Sequence, residues 1–541
     1  VYINPITLAH SKLLEDYYQQ KEEIMQQFDY DPFMEETMKQ RVFDLHNQAY
    51  DRDRLVSVLK HLNKKWHADE AVFANIERLK DPTSVTVIGG QQAGLLTGPL
   101  YTIHKMISII AFAKKQEDEL GIPVIPVFWI AGEDHDFAEI NHIMVAQEQG
   151  KMRKHKIAHY VKQKQSMSLL PLDNQLASDW LESLFKELDE TIHTKRIYKQ
   201  VKQALSHSDT YVDFFAEITS VLFQGEGLVL IDSGNPMVRQ LEKKHFQAMI
   251  KHQPEISKDV YQSLQTTKKN GYSISVDVNE EDGHLFYHLN GERILLVKTD
   301  KDKWSGKNKE CQFTTSELIE IAENNPELLS NNVVTRPLMQ ECLFPTLAFM
   351  AGPGELGYWS ILKPAFHAIG YKMPPVLPRL SFTLLDRKTE KKIKQHGMDV
   401  GEVIRTGALQ DKLTWLGSQL NPPLGTLVEQ VKQSIDHIHQ PLRDVAKSMG
   451  PDLENLADKN LEYLLQSIDY LHESLEKNVV GRHDQTIEMF DRVHVTLHPN
   501  NGLQERSWNA VSFINQFGEN WIRDIINQPY TFRHFHYSVT L

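Results

Sequence analysis

Short apolar runs that end in polar, glycine-rich turns recur along this chain and set its organisation. Val85, Val87 and Ile88 run into Gly89-Gly90, and Ile122 to Ile130 runs into Ala131-Gly132. Between them Thr102 to Lys115 has helical spacing, so the order is strand, loop, helix, strand: a βαβ unit. The pattern returns at Gly227 to Ile231, which leads into Asp232-Ser233-Gly234-Asn235-Pro236. It returns again at Leu347 to Met350, which leads into AGPGELGYW and a helix, and MPPVLPR adds a short strand before Arg379. These elements predict an α/β fold with an open parallel sheet.

The intervening stretches read differently. Residues 1 to 80 look helical, over Leu13 to Phe28 and Phe33 to Leu79, and residues 55 to 66 have the apolar spacing of a packing helix. Residues 172 to 206 are predicted helical with Leu181, Phe185, Leu188 and Ile192 on one face; Tyr211 to Phe223, 237 to 269 and Thr314 to Asn324 are further helices. Ile274 to Val278, His284 to Leu289 and Arg293 to Val297 read as a small antiparallel patch. Then the period changes. Leu424, Val428, Val431, Ile435, Ile438, Leu442 and Val445 step by four and three, Gly450-Pro451 interrupts, and Leu461, Leu464, Ile468, Leu471 and Leu475 resume. Two heptad helices joined by a short breaker predict an antiparallel coiled-coil arm starting at Asn421-Pro422-Pro423. The expected domains are a core at 1–387 with insertions near 140–205 and 265–330, the helical arm at 388–492, and a segment at 493–541 that returns to the core.

Chemistry clusters after the strands, where an open parallel sheet binds ligands. Gly89, Gly90, Gly94 and Gly98 suit a loop needing close backbone approach, and neither GxGxxG nor GxxxxGK[ST] occurs there. A bare turn has no need of the adjacent amides Gln91 and Gln92, or of Thr97, so a ligand loop is the preferred reading. His104 falls early on the following helix, whose first amides point to the same crevice. Glu133, Asp134, His135 and Asp136 are consecutive, without the separated ligands of a metal site. Carboxylates there suit an ammonium group or sugar hydroxyls, and the histidine suits proton transfer; a charged loop with a helix cap is the plainer alternative. Trp129 reads first as core and second as a substrate contact. Ser233, outside any GxSxG elbow, suits a hydrogen bond to substrate or a helix cap. Glu355 suits a positive partner or a cap, Arg379 an anionic ligand or surface packing, and Gln504, Glu505 and Arg506 group at a helix start whose polar side chains could reach the crevice. Lys151, Arg153, Lys154 and Lys156 read as a solvated face, with an anion contact as the minority reading.

Composition narrows the class. The 541 residues are 41% hydrophobic and 24% charged, as in a soluble globular protein with more than one domain. A net charge of -13 argues against nucleic acid as partner. Two cysteines, Cys311 and Cys342, suit a reducing compartment, and no 18-residue apolar run or secretory leader is seen, so a cytoplasmic protein without membrane contact is expected.

Taken together, GGQQAGLLTGPLYTIHK, PVFWIAGEDHDFAEINH, FMAGPGELGYW, MPPVLPR and HPNNGLQERSWN resemble the BshC family, the cysteine ligases of bacillithiol biosynthesis. The resemblance runs from the N-terminal helices to the end. It implies a Rossmann-like nucleotidyltransferase core of the class I aminoacyl-tRNA synthetase kind, with connecting-peptide insertions and a C-terminal α-helical coiled-coil domain that supports a homodimer. It implies joining of L-cysteine to the amino group of glucosaminyl-malate, with ATP and its Mg²⁺ activating the carboxylate. On that reading Gly89, Gly90, Gln91, Thr97, Gly98 and His104 surround ATP or the reacting carboxylate. His104, Asp134 and His135 are the catalytic candidates; Gln91, Gln92, Thr97, Trp129, Glu133, Asp136, Ser233, Glu355, Arg379, Gln504 and Arg506 are the substrate contacts, and no residue is assigned to a metal. The synthetase signatures themselves are missing: TIHK stands where a HIGH box would, and there is no KMSKS. Two other readings use the same residues: a sugar or nucleotidyl transferase, and a non-catalytic assembly protein built on the arm.

Overall fold

A computed structural model describes residues 1–147, 150–419, 424–533 and 536–541. The chain forms two compact units: Val1–Val145, Arg153–Leu384 and Gln504–Leu541 make the first, and Ala146–Met152 with Leu385–Leu503 make the second. In chain order the strands are β1 (Tyr2–Ile6), β2 (Val85–Gln91), β3 (Val124–Ile130), β4 (His142–Ala146), β5 (Met152–Lys156), β6 (Val229–Asp232), β7 (Asp282–Leu289), β8 (Glu292–Asp300), β9 (Lys303–Gly306), β10 (Gln312–Thr314), β11 (Leu329–Asn331), β12 (Thr346–Ala351), β13 (Val376–Pro378), β14 (Ser381–Leu385) and β15 (His536–Thr540).

The first unit is built on a parallel sheet in the order β13-β12-β2-β3-β6. Numbered along the chain, its strands run 3-2-1-4-5, the doubly wound order, and the direction of winding reverses between β2 and β12. Every residue of β3 is buried, so its apolar run is continuous and not alternating, as expected of a strand covered on both faces. The helix Leu100–Leu120 joins β2 to β3 and stops at Gly121, whose φ of 65° gives the left-handed cap that only glycine adopts freely. This is the predicted βαβ unit, with the helix longer at both ends.

Three expectations are corrected here. The N-terminal stretch is not helical throughout: β1 pairs antiparallel with β15, from Tyr2 opposite Thr540 to Ile6 opposite His536. Pro5 cannot donate to a ladder, which is why β1 lies at the edge of its sheet, in the order β1-β15-β14. Ile274 to Val278 forms no strand; buried Ile274 and Val278 instead anchor the loop before β7, and the antiparallel sheet runs β10-β9-β8-β7-β11. Ile192 does not continue the face of Leu181, for the helix Asn174–Glu187 has ended and the side chain is 93% exposed.

In the second unit, the helices Leu424–Met449 and Pro451–Arg482 turn about Gly450, with Pro451 in the first turn where its missing N–H costs nothing. Lys447 meets Glu454 at 3.3 Å, His439 meets Asn460 at 3.1 Å and Lys432 meets Asp469 at 2.5 Å, so the partners close symmetrically about the turn and the pair is antiparallel. Val428 and Leu461 are buried, whereas Ile438, Leu442 and Val445 are 74%, 65% and 57% exposed. The proposed start at Asn421-Pro422-Pro423 lies outside the described residues.

Candidate active site

Each strand of the parallel sheet carries polar residues just past its carboxyl end. From β13 to β6 the row reads Arg379, Glu355, Gln91 and Gln92, Glu133 to Asp136, and Ser233. Four strand spacings of ~4.8 Å make that row about 19 Å long, too long for one small ligand to touch both ends. It divides into two groups.

The first group sits at the reversal between β2 and β12. Lys105, 1% exposed, donates from Nζ to the Gly90 carbonyl at 2.7 Å, to Gln91 Oε1 at 3.1 Å and to Glu355 Oε2. Burial lowers the Lys105 pKa, and Glu355 opposes that fall. Glu355 also accepts from the Gly352 amide at 2.7 Å, so the ion-pair and cap readings of this residue are both realised. A helix turn brings Tyr101 to the face of Lys105, and the Arg379 guanidinium lies 6.0 Å over its ring.

His104 occupies a different face and is corrected from crevice to interior. It is fully buried, edge-to-face with Phe382 at 5.0 Å. Its Nδ1 lies 2.7 Å from Glu505 Oε2, and Arg379 donates to both oxygens of that carboxylate at 2.8 and 2.7 Å. Burial pushes Glu505 up, but Arg379 and His104 outweigh it and hold the carboxyl well below the usual range. An ionised Glu505 accepts, so Nδ1 carries the imidazole proton and Nε2 keeps a lone pair with no partner among the described residues. Burial lowers the His104 pKa, so the ring is neutral. Arg379 is likewise not on the surface and is already paired.

The loop after β2 is held under strain. Leu96, Thr97 and Gly98 take φ of 48°, 72° and 69°, and two of the three are not glycine. Asn509 Nδ2 donates to the carbonyls of Leu95, Leu96 and Gly98 at 3.4, 2.9 and 2.6 Å. The Trp508 carbonyl takes the Leu100 amide at 2.8 Å and Pro99 takes that of Thr102 at 3.0 Å, so these two amides at the helix start are not free for a ligand. Thr97 Oγ1 is buried and has no partner among the described residues. A Cβ on Gly90 would lie 2.6 Å from the Trp129 carbonyl oxygen, and one on Gly89 3.1 Å from that of Met350, so both glycines serve strand approach.

The second group follows β3. Gln92 donates to Asp134 Oδ2 and to Glu139 Oε2, each at 2.7 Å. Asp134 Oδ1 accepts the His135 amide at 2.7 Å. His135 Nδ1 accepts from Arg293 at 3.2 Å, which fixes the proton on Nε2, and burial with Arg293 lowers its pKa. Arg293 itself stacks 3.9 Å over Phe286 and donates to Ser330 and Asn331. Asp136 is exposed.

Four candidates belong to the scaffold instead. Glu133 is buried, with Oε2 taking Arg239 at 2.6 Å and the Asn331 amide at 3.0 Å. Ser233 is buried and accepts the Glu133 amide at 3.4 Å; the helix cap is Asn235. Beside it Asp232 accepts from Ser168 at 2.7 Å and the Gly234 amide at 3.0 Å, and burial raises its pKa to about 6. Trp129 is core, edge-on to Phe344. Gln504 is fully buried and bonds Leu384 N and O at 2.7 Å each, completing the backbone pairing of β14 in place of a strand. Arg506 is exposed on the short helix Gln504–Ser507. The residues not anticipated are Lys105, Tyr101, Arg293 and Asn509; Glu505 stands in the polar group at the helix start but carried no expected role, and Lys105 had a signal, one position along from His104 in TIHK and four from Tyr101.

A family model described as the bacillithiol biosynthesis BshC N-terminal Rossmann-like domain matches residues 3–380, and the BshC C-terminal coiled-coil domain matches residues 382–541. Among similar proteins, one from Oceanobacillus iheyensis is 42% identical over 98% of both chains, and one from Geobacillus sp. is 39% identical over 98% of this chain and 97% of its own. One from Bacillus cereus is 38% identical over the whole of both. All three carry the description "Putative cysteine ligase BshC".

Proposed function

The chain belongs to the bacillithiol biosynthesis BshC family, and from its geometry we propose that it is a cysteine ligase joining the carboxyl group of L-cysteine to the amine of glucosaminyl-malate. One observation carries this reading. Gln91 and Gln92 are adjacent, yet Gln91 is engaged by Lys105 at the β2/β12 reversal and Gln92 by Asp134 past β3. Two polar groups therefore meet at consecutive residues. A ligation needs that arrangement, because its reacting atoms must come within ~3–3.5 Å while each ligand keeps its own contacts.

A carboxylate oxygen is a poor leaving group, so the acid must be activated. ATP is the donor we assign. The cysteine carboxylate attacks the α-phosphorus and pyrophosphate leaves; the amine nitrogen then attacks the carbonyl carbon, AMP leaves, and the nitrogen loses a proton. Lys105 is the cation we assign to the negative charge that grows as the adenylate forms, in a buried setting that strengthens the interaction. Asp134, partly exposed, holds the ammonium form and receives its proton, and His135 offers Nε2–H to a hydroxyl or carbonyl oxygen. His104 acts through Glu505 and Arg379 as a positioning residue. Lys105 and Arg379 are already matched by carboxylates, so a triphosphate must bring its own cation. Mg²⁺ is that companion; Asp134 and Glu355 each already accept two hydrogen bonds or ion pairs, and give it no ready ligand set. The partly exposed heptad seam supports a homodimer through the arm. The cytoplasm is the compartment we assign to the reaction; no helix among the described residues is long and apolar enough to cross a membrane.

The test is an assay of the purified chain with labelled cysteine, glucosaminyl-malate and each nucleotide in turn, read by mass spectrometry. Amide with AMP and pyrophosphate is expected. Amide with ADP and phosphate would replace the adenylate by an acyl phosphate, and no amide with any nucleotide would overturn the reading.

A further inference from the structure

We propose that His67, His207 and Glu217 form a binding site for one divalent transition-metal ion of the zinc class, separate in residues from the ligation crevice. Their ligand atoms all lie within 4.8 Å of one another. His67 Nδ1 is 2.6 Å from Glu217 Oε1, and His207 Nδ1 is 3.9 Å from Glu217 Oε2. Two bonds of ~2.0–2.1 Å at a tetrahedral angle hold their donors about 3.3 Å apart, and the two distances bracket that value. Both imidazoles are exposed, so small rotations close the difference. Two imidazoles and one carboxylate, with a fourth position left to water, is a donor set that borderline-soft ions prefer over Mg²⁺ or Ca²⁺.

Three further features favour a cation there. The Glu217 side chain is only 5% exposed, and a buried carboxylate needs positive charge beside it. The imidazole rings are 4.4 Å apart, so both lie within reach of a single ion placed beside Glu217. Two helices end at the site: Arg52–Lys65 stops just before His67, and Thr194–Ser206 stops just before His207, so the negative ends of two helix dipoles converge on it. His67 is held in the left-handed region at φ 48°, which turns the chain off its helix at that point. Lys65, two positions before His67, is paired with Asp213 at 2.8 Å.

The metal would pin the segment at His67 to the end of the helix Thr194–Ser206 and to the helix Tyr211–Leu222. The experiment is a Co²⁺ titration of chelator-treated, tag-free full-length protein, followed by visible absorption and then by displacement with Zn²⁺. Binding of one equivalent is expected, with a rise in melting temperature on Zn²⁺ addition. His67→Ala with His207→Ala removes both rings and, with them, the His67 contact to Glu217; it should weaken metal binding at least about 100-fold and abolish the rise. Absence of a stoichiometric site, or undiminished binding in the double variant, would overturn the proposal. Should the double variant melt early without metal, His207→Asn alone, with the same titration, decides it by the same criterion.

Discussion

Asp232→Asn is a perturbation whose size follows from one environment. Asp232 ends β6, is buried, and among the described residues receives Ser168 Oγ and the Gly234 amide, while burial raises its pKa from 3.8 to about 6. A carboxyl with a raised native pKa favours the folded state while protonated, fully below 3.8, and loses that advantage as pH rises through about 6. At pH 5 the native group is about nine-tenths protonated and the unfolded group mostly ionised, a difference of ~1 pH unit or ~1.4 kcal/mol; by pH 8 it has vanished. Asparagine keeps the acceptor oxygen and cannot ionise. The wild type should therefore lose ~1.4 kcal/mol between pH 5 and pH 8 that the variant keeps. For a unit of roughly 400 residues, with ~2.1 cal/mol/K of unfolding entropy per residue, that is a change of about 1.5–2 °C in the gap between their melting temperatures. Scanning fluorimetry of both proteins across that pH range measures the gap directly, and common pH effects cancel. A gap that stays constant, or a variant that falls behind as pH rises, would mean that the charged form is the stabilised one, and the burial argument would fail.

Other outcomes follow from the same geometry. Lys105→Met removes the cation from Gln91 and Glu355 and should cut ligation at least ~10-fold, with Glu355→Gln non-additive in the double variant, as expected of paired groups. Asn509→Ala strips three carbonyls of their donor and should destabilise by ~2–4 kcal/mol, with faster amide exchange confined first to residues 94–100. Gly90→Ala forces a methyl against the Trp129 carbonyl and should lower the melting temperature by several degrees, whereas Gly354→Ala, with nothing within 4 Å, should leave it unchanged. Ile438→Glu with Leu442→Glu places charge on the exposed seam; light scattering should show the proposed dimer shift to monomer while each helix pair stays folded by circular dichroism.

The strands of the parallel sheet were legible because apolar runs closed by glycine carry their own punctuation, and the arm was legible because heptad stepping is strictly local. What escaped was non-local. Nothing in VYINPI announces a partner more than five hundred residues away, so β1 was read as helix flank. Ile274 to Val278 shows the alternation of a strand, but alternation reports one buried side, not a ladder, and the backbone there has none. In the crevice, residue type drew attention to His104, while helix geometry turns Lys105 toward Gln91 and Glu355, with Tyr101 on the same face, and His104 toward Phe382. Glu505 and Asn509 act across gaps of 126 and about 400 positions, and spacing along a chain carries no trace of such contacts.

The first unit is discontinuous: Asn509 steadies the loop after β2, and β15 closes the sheet begun by β1. During translation both partners wait for the ribosome to deliver their counterparts, which are made only after the helical arm. The polar crevice is therefore the last part of this protein to mature, and a ribosome stalled within the arm would display a sheet without a working loop.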